Sequence, residues 1–371
     1  MKILQAGNMV NVGYLTSTLL RNYGLDVDLL LDVTHPSPEK FDPKLLDGYP
    51  SWFIQYHLNK KFWKLQILKT MMKKKYDLIH AYVELPIFSY LSGKTFIVQA
   101  LGSDFRELAI SNSLRGKLLL KAYKKAKVIL FSMPDHLPLY HKLNLNNGIF
   151  FPLPVDLTFF KPMYHEQYNS QKFVIFHPTN LDWAIKRNDV LIHGYAKFIK
   201  NNPNSILLII DRGVDSIKTK KLIHDLNLDD FVEYVDGPIN SSKMREYYNS
   251  VDIIADAFLH PAMSGTTNES LCCKKPVVCF YPKKEFEGVY EEHPPIMNAR
   301  NPDEVCSQFE KLSDKNFRDK VGKQGYDWVQ KYNDPFFYSK KLSIIYETIL
   351  DNGNIDEIKN NLKRVTTLKE I

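Results

Sequence analysis

The residues best suited to chemistry lie in one stretch, Met263–Val278, which opens Met-Ser-Gly-Thr-Thr-Asn-Glu. Small residues begin a helix directly after one strand and before the next. The backbone N–H groups of Gly265, Thr266 and Thr267 then lack intrahelical acceptors and can hold a phosphate. Glu269 follows within the first turn, beside Asn268. Its carboxylate can accept two hydroxyl hydrogen bonds from a ribose, and the positive helix end favours it there. The same residues would equally make a plain N-cap on a core helix.

Three further segments belong with it. Lys186, in Ala184–Ile192, stands at a loop-to-helix junction on the side of a sheet where α/β proteins bind ligands. An ammonium there can stabilise a departing diphosphate where its charge develops, or can simply be a solvated lysine. The loop Gly7–Tyr14 carries two glycines, Gly7 and Gly13, which permit a tight turn and close approach of a ligand. It is not G-x-G-x-x-G, so a dinucleotide fingerprint is unsupported. Gly102-Ser103-Asp104 ends one strand and His80 lies near the end of its neighbour. Both would line the same cleft, although a histidine on such a strand is also a common core residue.

The elements that must position these residues are short apolar runs alternating with helical segments, the pattern of parallel sheets with crossover helices. Strands are expected near 2–6, 26–31, 77–81, 95–100 and 128–132, with helices near 12–23, 53–74, 84–92, 113–126 and 134–142. Prolines at 152, 154 and 162 and a polar stretch over 164–171 place a boundary near 155–172. A second series follows, with strands at 172–176, 205–210, 231–235, 252–255 and 276–280. Helices are expected at 187–201, 215–226, 241–249, 267–274, 303–312, 315–331 and 335–351, and the last 20 residues read as a polar tail. The fold class is therefore α/β, two Rossmann-like doubly wound domains facing a central cleft. They span 1–155 and 172–334, with 335–371 as a C-terminal helix plus tail.

Composition narrows the function. Of 371 residues 44% are hydrophobic and 25% charged, as in a soluble globular protein, and no apolar run is long enough to span a membrane. The N-terminus reads as a first strand, not a secretory signal. Cys272, Cys273, Cys279 and Cys306 show neither a metal-ligand spacing nor a disulfide framework, so the reading is a reducing cytoplasm and no metal. Charge is uneven. Residues 1–160 hold 20 Lys/Arg against 12 Asp/Glu, and the remainder 29 against 30. The basic half interleaves aromatics and lysines over 52–75 and adds a cationic cluster over 115–127. That suits an anionic membrane surface, or an ordinary amphipathic helix. No nucleic-acid-binding module is recognisable.

Taken in order, the segments resemble retaining family 4 glycosyltransferases of the GT-B fold. Glu269-Ser-Leu-Cys-Cys-Lys-Lys-Pro-Val-Val resembles that family's E-A-M-A-C-G-K-P-V-V, and Val251-Asp-Ile-Ile its A-D-V-F strand. Lys186-Arg-Asn-Asp-Val-Leu resembles K-G-x-D-x-L, Pro154–Pro162 the linker G-V-D-x-x-x-F-x-P, and Gly102-Ser-Asp the family's H-G-S-D. The resemblance implies an enzyme that moves a sugar from a nucleotide-diphosphate donor to a glycan or lipid-linked acceptor. It would retain anomeric configuration and need neither metal nor other cofactor, in polysaccharide or glycolipid synthesis. The basic half adds the expectation of a cytoplasmic protein with peripheral contact at the inner face of the cell membrane.

The implied catalytic set is Lys186, Glu269, Asp104 and His80. Donor contacts would come from Gly13, Lys186, Gly237, Gly265, Thr266, Thr267, Asn268 and Glu269, with Gly237 edging the nucleobase. The helix 335–351 would cross back to the N-terminal domain. Three positions depart from the pattern: Pro261 replaces the first glutamate of E-x7-E, Leu181 or Asn180 an arginine, and Leu101 a histidine. Either His260, Asp104 and Asn268 rebuild the sugar contacts, or the chain is a non-catalytic carbohydrate- or nucleotide-binding protein. A sugar-nucleotide epimerase on the same fold is the other alternative.

Overall fold

The computed structural model describes residues 1–34, 49–237, 239–260 and 263–367. The chain divides into two units, Met1–Pro154 with Asn333–Ile371, and Val155–Tyr332. In the first, β1 (Lys2–Ala6), β2 (Asp26–Asp32), β3 (Phe53–Tyr56), β4 (Leu78–Tyr82), β5 (Phe96–Ala100), β6 (Ile129–Phe131) and β7 (Gly148–Phe150) form a parallel sheet. Its order is β3-β2-β1-β4-β5-β6-β7. The connecting helices are α1 (Val12–Asn22), α2 (Trp63–Met71), α3 (Leu85–Leu91), α4 (Leu114–Lys125) and α5 (His136–Lys142). Strand side chains alternate between faces. Leu4, Ile79, Val98 and Ile129 pack with α2 to α5, while Ile3, Leu78, Ile97 and Val128 serve the opposite core.

The helix expected over 53–74 is in fact two elements. Residues 53–56 pair with β2 as an edge strand, and only from Trp63 does the chain turn helical. Pairing to a neighbour outweighs local pattern in so short a run. The strand β7 escaped detection for the same reason: three residues long, it exists by pairing with β6. A side chain at Gly148 would overlap Phe131, with an added Cβ only 2.3 Å from its ring.

The second unit is a six-stranded parallel sheet ordered β10-β9-β8-β11-β12-β13. Its strands are β8 (Phe173–His177), β9 (Ser205–Asp211), β10 (Val232–Asp236), β11 (Ile253–Ala255), β12 (Val277–Cys279) and β13 (Met297–Asn298). The helices are α6 (Trp183–Lys186), α7 (Asn188–Phe198), α8 (Ser216–Asp225), α9 (Ser241–Ser250), α10 (Gly265–Cys272), α11 (Pro302–Ser313) and α12 (Lys315–Tyr332). Side-chain caps start several of them: Asn240 accepts from Lys243 N at 2.9 Å and Asn301 from Glu304 N at 3.0 Å.

Two last helices, α13 (Pro335–Leu350) and α14 (Ile355–Thr367), belong to the first unit. Asp334 caps α13 through Phe337 N at 2.9 Å, with proline at the first helical position. Tyr338, Leu342, Ile345, Tyr346 and Ile349 bury themselves on the sheet. The expected polar tail is instead largely helical. Ile355, Ile358 and Leu362 make an apolar stripe on the α13 core, and Ile358 is only 1% exposed.

Both sheets reverse strand order once, between β1 and β4 and between β8 and β11. Such reversal points open a crevice beyond the carboxyl ends of the strands, where ligands of this architecture bind.

Candidate active site

The crevice of the second unit is assembled from the ends of β8 and β11, which pair directly through Ile175 with Ile253 and Phe176 with Ile254. His177 ends β8. Its Nδ1–H donates to the Ala255 carbonyl at 2.7 Å, and its Nε2 accepts from the Asn188 amide at 2.7 Å. Burial pushes the imidazole down to about 4, so it is neutral at physiological pH. Asn188 Oδ1 in turn accepts from Asp182 N at 2.8 Å, and Asp182 caps α6 through Ile185 N at 3.2 Å. One helical turn later comes Lys186, followed by Arg187 in the left-handed region at φ 53°. Arg187 is tied to Asp189 at 2.9 Å.

Lys186 is half-buried, and its backbone carbonyl accepts from Phe258 N at 2.9 Å, fixing it to the segment that leaves β11. Its ammonium has no hydrogen-bond or ion-pair partner among the described residues. The adjacent Arg187 is matched to Asp189, and Lys218 lies over the Trp183 ring, 3.8 Å from its centre.

On the β11 side, Asp256 follows the strand directly and is 2% exposed. It accepts from Thr179 Oγ1 at 2.9 Å, Ser264 Oγ at 2.5 Å and Thr267 Oγ1 at 2.8 Å. Ser264 caps α10 by accepting from Thr267 N at 3.1 Å, and Asn268 N bonds the Ser264 carbonyl at 3.0 Å. The amides of Gly265 and Thr266 have no partner among the described residues. Gly265 is exposed, and a Cβ there would meet only Glu269 Oε1, at 3.9 Å. Open amides at a helix N-terminus are groups that can receive an anion.

Glu269 is half-buried and accepts from Tyr248 Oη at 3.1 Å. Burial pushes its carboxyl up to about 8 and the charge of Asp256 adds to this, while the Tyr248 hydrogen bond opposes both. Asn268 donates to the Met263 carbonyl at 3.2 Å, and its buried Oδ1 has no partner among the described residues. Lys186, Gly265, Thr266, Thr267, Asn268 and Glu269 therefore share one strand-end region.

The remaining candidates stand elsewhere. Gly237 lies just beyond the carboxyl end of β10, the edge strand two places from β8, where an added Cβ would overlap Ile210 Cγ2 at 2.6 Å. Gly13 is in the first unit. A Cβ there would be 1.9 Å from the Gly7 carbonyl oxygen, so the residue is demanded by helix-to-loop packing. His80 is fully buried, stacked on Tyr82 at 4.7 Å between ring centres. Its Nδ1 accepts from Tyr346 Oη at 2.8 Å, and burial pushes it down to about 3.

Asp104, 4% exposed, accepts from Gly102 N at 2.6 Å, Leu101 N at 3.2 Å and Tyr123 Oη at 2.8 Å. Burial raises its pKa against those hydrogen bonds. Enclosure thus makes His80 and Asp104 parts of the first unit's interior, contrary to the expectation that they face a substrate. His260 is partly exposed, and Pro261 lies outside the described residues. Sequence reading missed Asp256, Thr179, His177 and Asn188. The available signal was an acid ending an apolar strand, followed 8 and 11 residues later by hydroxyls.

No family model matches the chain, and no curated protein matches it. Solved structures do. Sucrose-phosphate synthase from Thermosynechococcus elongatus has a TM-score of 0.70 at 15% identity, over 95% of this chain and 100% of that one. HepE from Anabaena in complex with UDP and glucose has a TM-score of 0.73 at 14% identity, over 94% and 100%. A glycosyltransferase from Rickettsia africae has a TM-score of 0.69 at 18% identity, over 95% and 99%. The fold is that of GT-B glycosyltransferases. Both parallel-sheet units fall within that likeness.

Proposed function

We propose that the chain is a glycosyltransferase whose nucleoside-diphosphate sugar binds at the β8/β11 crevice of the second unit. The observation that carries this reading is the pairing of open amides at Gly265 and Thr266 with the unpartnered Lys186 ammonium. As the glycosidic bond to the diphosphate breaks, charge accumulates on the departing oxygens, where these groups stabilise it. Glu269, half-buried one turn into α10, holds the ribose hydroxyls. The reaction retains anomeric configuration and uses no metal.

The acceptor, a glycan or lipid-linked sugar, belongs to the first unit, beside an anionic membrane at the inner face of the cell. Here the fold narrows the sequence reading. Trp52 and Trp63 are turned against Tyr14 and Tyr56, so they are not free for lipid. Phe62, Leu65 and Met72 are exposed instead, at 66%, 48% and 55%, among exposed Lys60, Lys61, Lys64, Lys69, Lys73 and Lys74. Lys117, Lys121, Lys124, Lys125 and Lys127, on and just after α4 on the same side of the sheet, extend the basic surface. Apolar anchors with several cations suit anionic lipid. No helix among the described residues is long and apolar enough to cross a membrane.

The test is donor binding, donor hydrolysis and transfer across a panel of nucleotide sugars. Lys186→Ala and Glu269→Ala should each lower turnover roughly 10²–10³-fold with the fold intact. Unchanged turnover in both refutes the site. Binding without transfer identifies a non-catalytic protein, and interconversion of the sugar without an acceptor an epimerase. For the membrane surface, co-sedimentation with phosphatidylglycerol vesicles should fall when Lys60, Lys61 and Lys64 are changed to glutamine. Undiminished binding, or none by the unaltered protein, excludes that surface.

A further inference from the structure

We infer that Asp256 is the positioning residue of this crevice. Its single carboxylate ties together the loop leaving β8 and the start of α10, the two segments that present the anion contacts, an inference that rests on the donor-site reading above. Oδ1 takes the Thr179 hydroxyl from the loop leaving β8. Oδ2 takes both Ser264, the cap of α10, and Thr267 in its first turn. Two residues on, Phe258 N holds the carbonyl of Lys186. The acid thus joins both strand ends to the helix start and, through its own strand exit, to the lysine.

The chemistry of those bonds matters. Because Ser264 donates its hydroxyl proton to Asp256, its oxygen lone pair is left to accept from Thr267 N. A carboxylate accepts but does not donate, so it fixes the direction of all three hydroxyls. The helix cap therefore closes on Thr267 N and leaves the Gly265 and Thr266 amides open. Asp256 is enclosed, so it acts through the turn that presents the open amides.

Charge and geometry make opposite forecasts. A carboxylate beside a phosphate site repels it, so neutralising an acid that mattered only by charge would tighten diphosphate binding. Asparagine at 256 keeps the shape but turns one acceptor oxygen into a donor, leaving hydroxyl protons unmatched. A displaced α10 turn would weaken binding.

The experiment measures UDP, GDP and ADP binding to the full chain by calorimetry, and amide hydrogen exchange without ligand, for the parent, Asp256→Asn, Thr179→Val and the double variant. Asp256→Asn should weaken binding about tenfold or more, since small misplacements of a contact are costly. Exchange should quicken at residues 264–268 while α13 keeps its protection. Thr179→Val should do less, and the double variant should fall short of the sum, as residues sharing one network do. Tighter or unchanged binding by Asp256→Asn, or faster exchange spread evenly over both units, overturns the inference. If the parent binds none of the three nucleotides, the donor-site reading fails by itself. The exchange pattern then still decides whether Asp256 holds the turn, and unaltered exchange at 264–268 refutes it.

Discussion

Asp104 and Asp256 are both enclosed carboxylates set beyond an inner strand of a parallel sheet, and they leave opposite surfaces behind. Asp104 is fed by backbone amides, those of Leu101 and Gly102, together with the Tyr123 hydroxyl. The loop after β5 therefore consumes its own anion-binding groups. Asp256 is fed by three hydroxyls, and the amides at the start of α10 stay open. What makes a strand end receptive to phosphate is thus which donors the local acid takes. A glycine, a serine and an acid after a strand occur in both places, and among the described residues the acid takes the backbone amides in one and hydroxyls in the other.

The largest effect that would break this contrast concerns stability of the first unit. Asp104→Asn should cost about 2–4 kcal/mol, because buried donors lose a charged acceptor. Chemical denaturation followed by exchange at α4 and β5 measures it, and UDP binding by the second unit should be unchanged. Gly13→Ala belongs with it, since its Cβ would fall 1.9 Å from a backbone oxygen that cannot swing aside. If Asp104→Asn left stability intact but reduced nucleotide binding, the first unit's loop would be a ligand site after all.

Acid sharpens the same comparison at smaller size. The first unit buries His80 and His136, each held down to about 3, chiefly by burial; the second buries His177, held to about 4. Both ring nitrogens of His136 lack partners among the described residues, so protonation finds no acceptor among them. The unfolded chain takes up protons below about pH 6.5 while these imidazoles stay neutral, so stability falls as pH drops from 6.5 toward their folded values. The slope is about 1.4 kcal/mol per pH unit for each histidine in that window. Exchange-detected unfolding between pH 7 and 5 should show the first unit weakening more steeply than the second. Glu269, held up to about 8, works in the opposite direction in the second unit, so equal slopes would contradict the neutral burial of His80 and His136.

These contrasts also show where sequence was sufficient. Long apolar strands such as Ser205–Asp211, and helices started by an Asp or Asn followed by Pro at 335 and 302, declare themselves locally. Phe53–Tyr56 and Gly148–Phe150 do not, because only a neighbouring strand makes them strands. At the candidate site, Gly265 and Glu269 stood out by residue type at a strand-to-helix junction, and Lys186 through the motif that resembles the family's K-G-x-D-x-L. Asp256 was not: the partners that define it are 77, 8 and 11 residues away, and one of them is supplied by a different strand end. His80 misled for the converse reason, since the Tyr346 that encloses it arrives from 266 residues downstream.

The smallest expected effect is at Gly265, where the comparison with Gly13 is most direct. Both are glycines at the start of a helix beyond a strand, and by sequence both were donor contacts. Around Gly13 there is no room; at Gly265 an added methyl meets only Glu269 Oε1 at 3.9 Å, and its backbone needs no positive φ. Gly265→Ala should therefore change folding stability by less than about 0.5 kcal/mol, as at an ordinary surface position. It should weaken nucleoside-diphosphate binding several-fold, because the methyl occupies the space a phosphate needs to reach the open amides. Thermal denaturation beside a UDP titration separates the two quantities. A loss of stability with binding unchanged would place the glycine's purpose in the fold, as at Gly13, and the phosphate elsewhere.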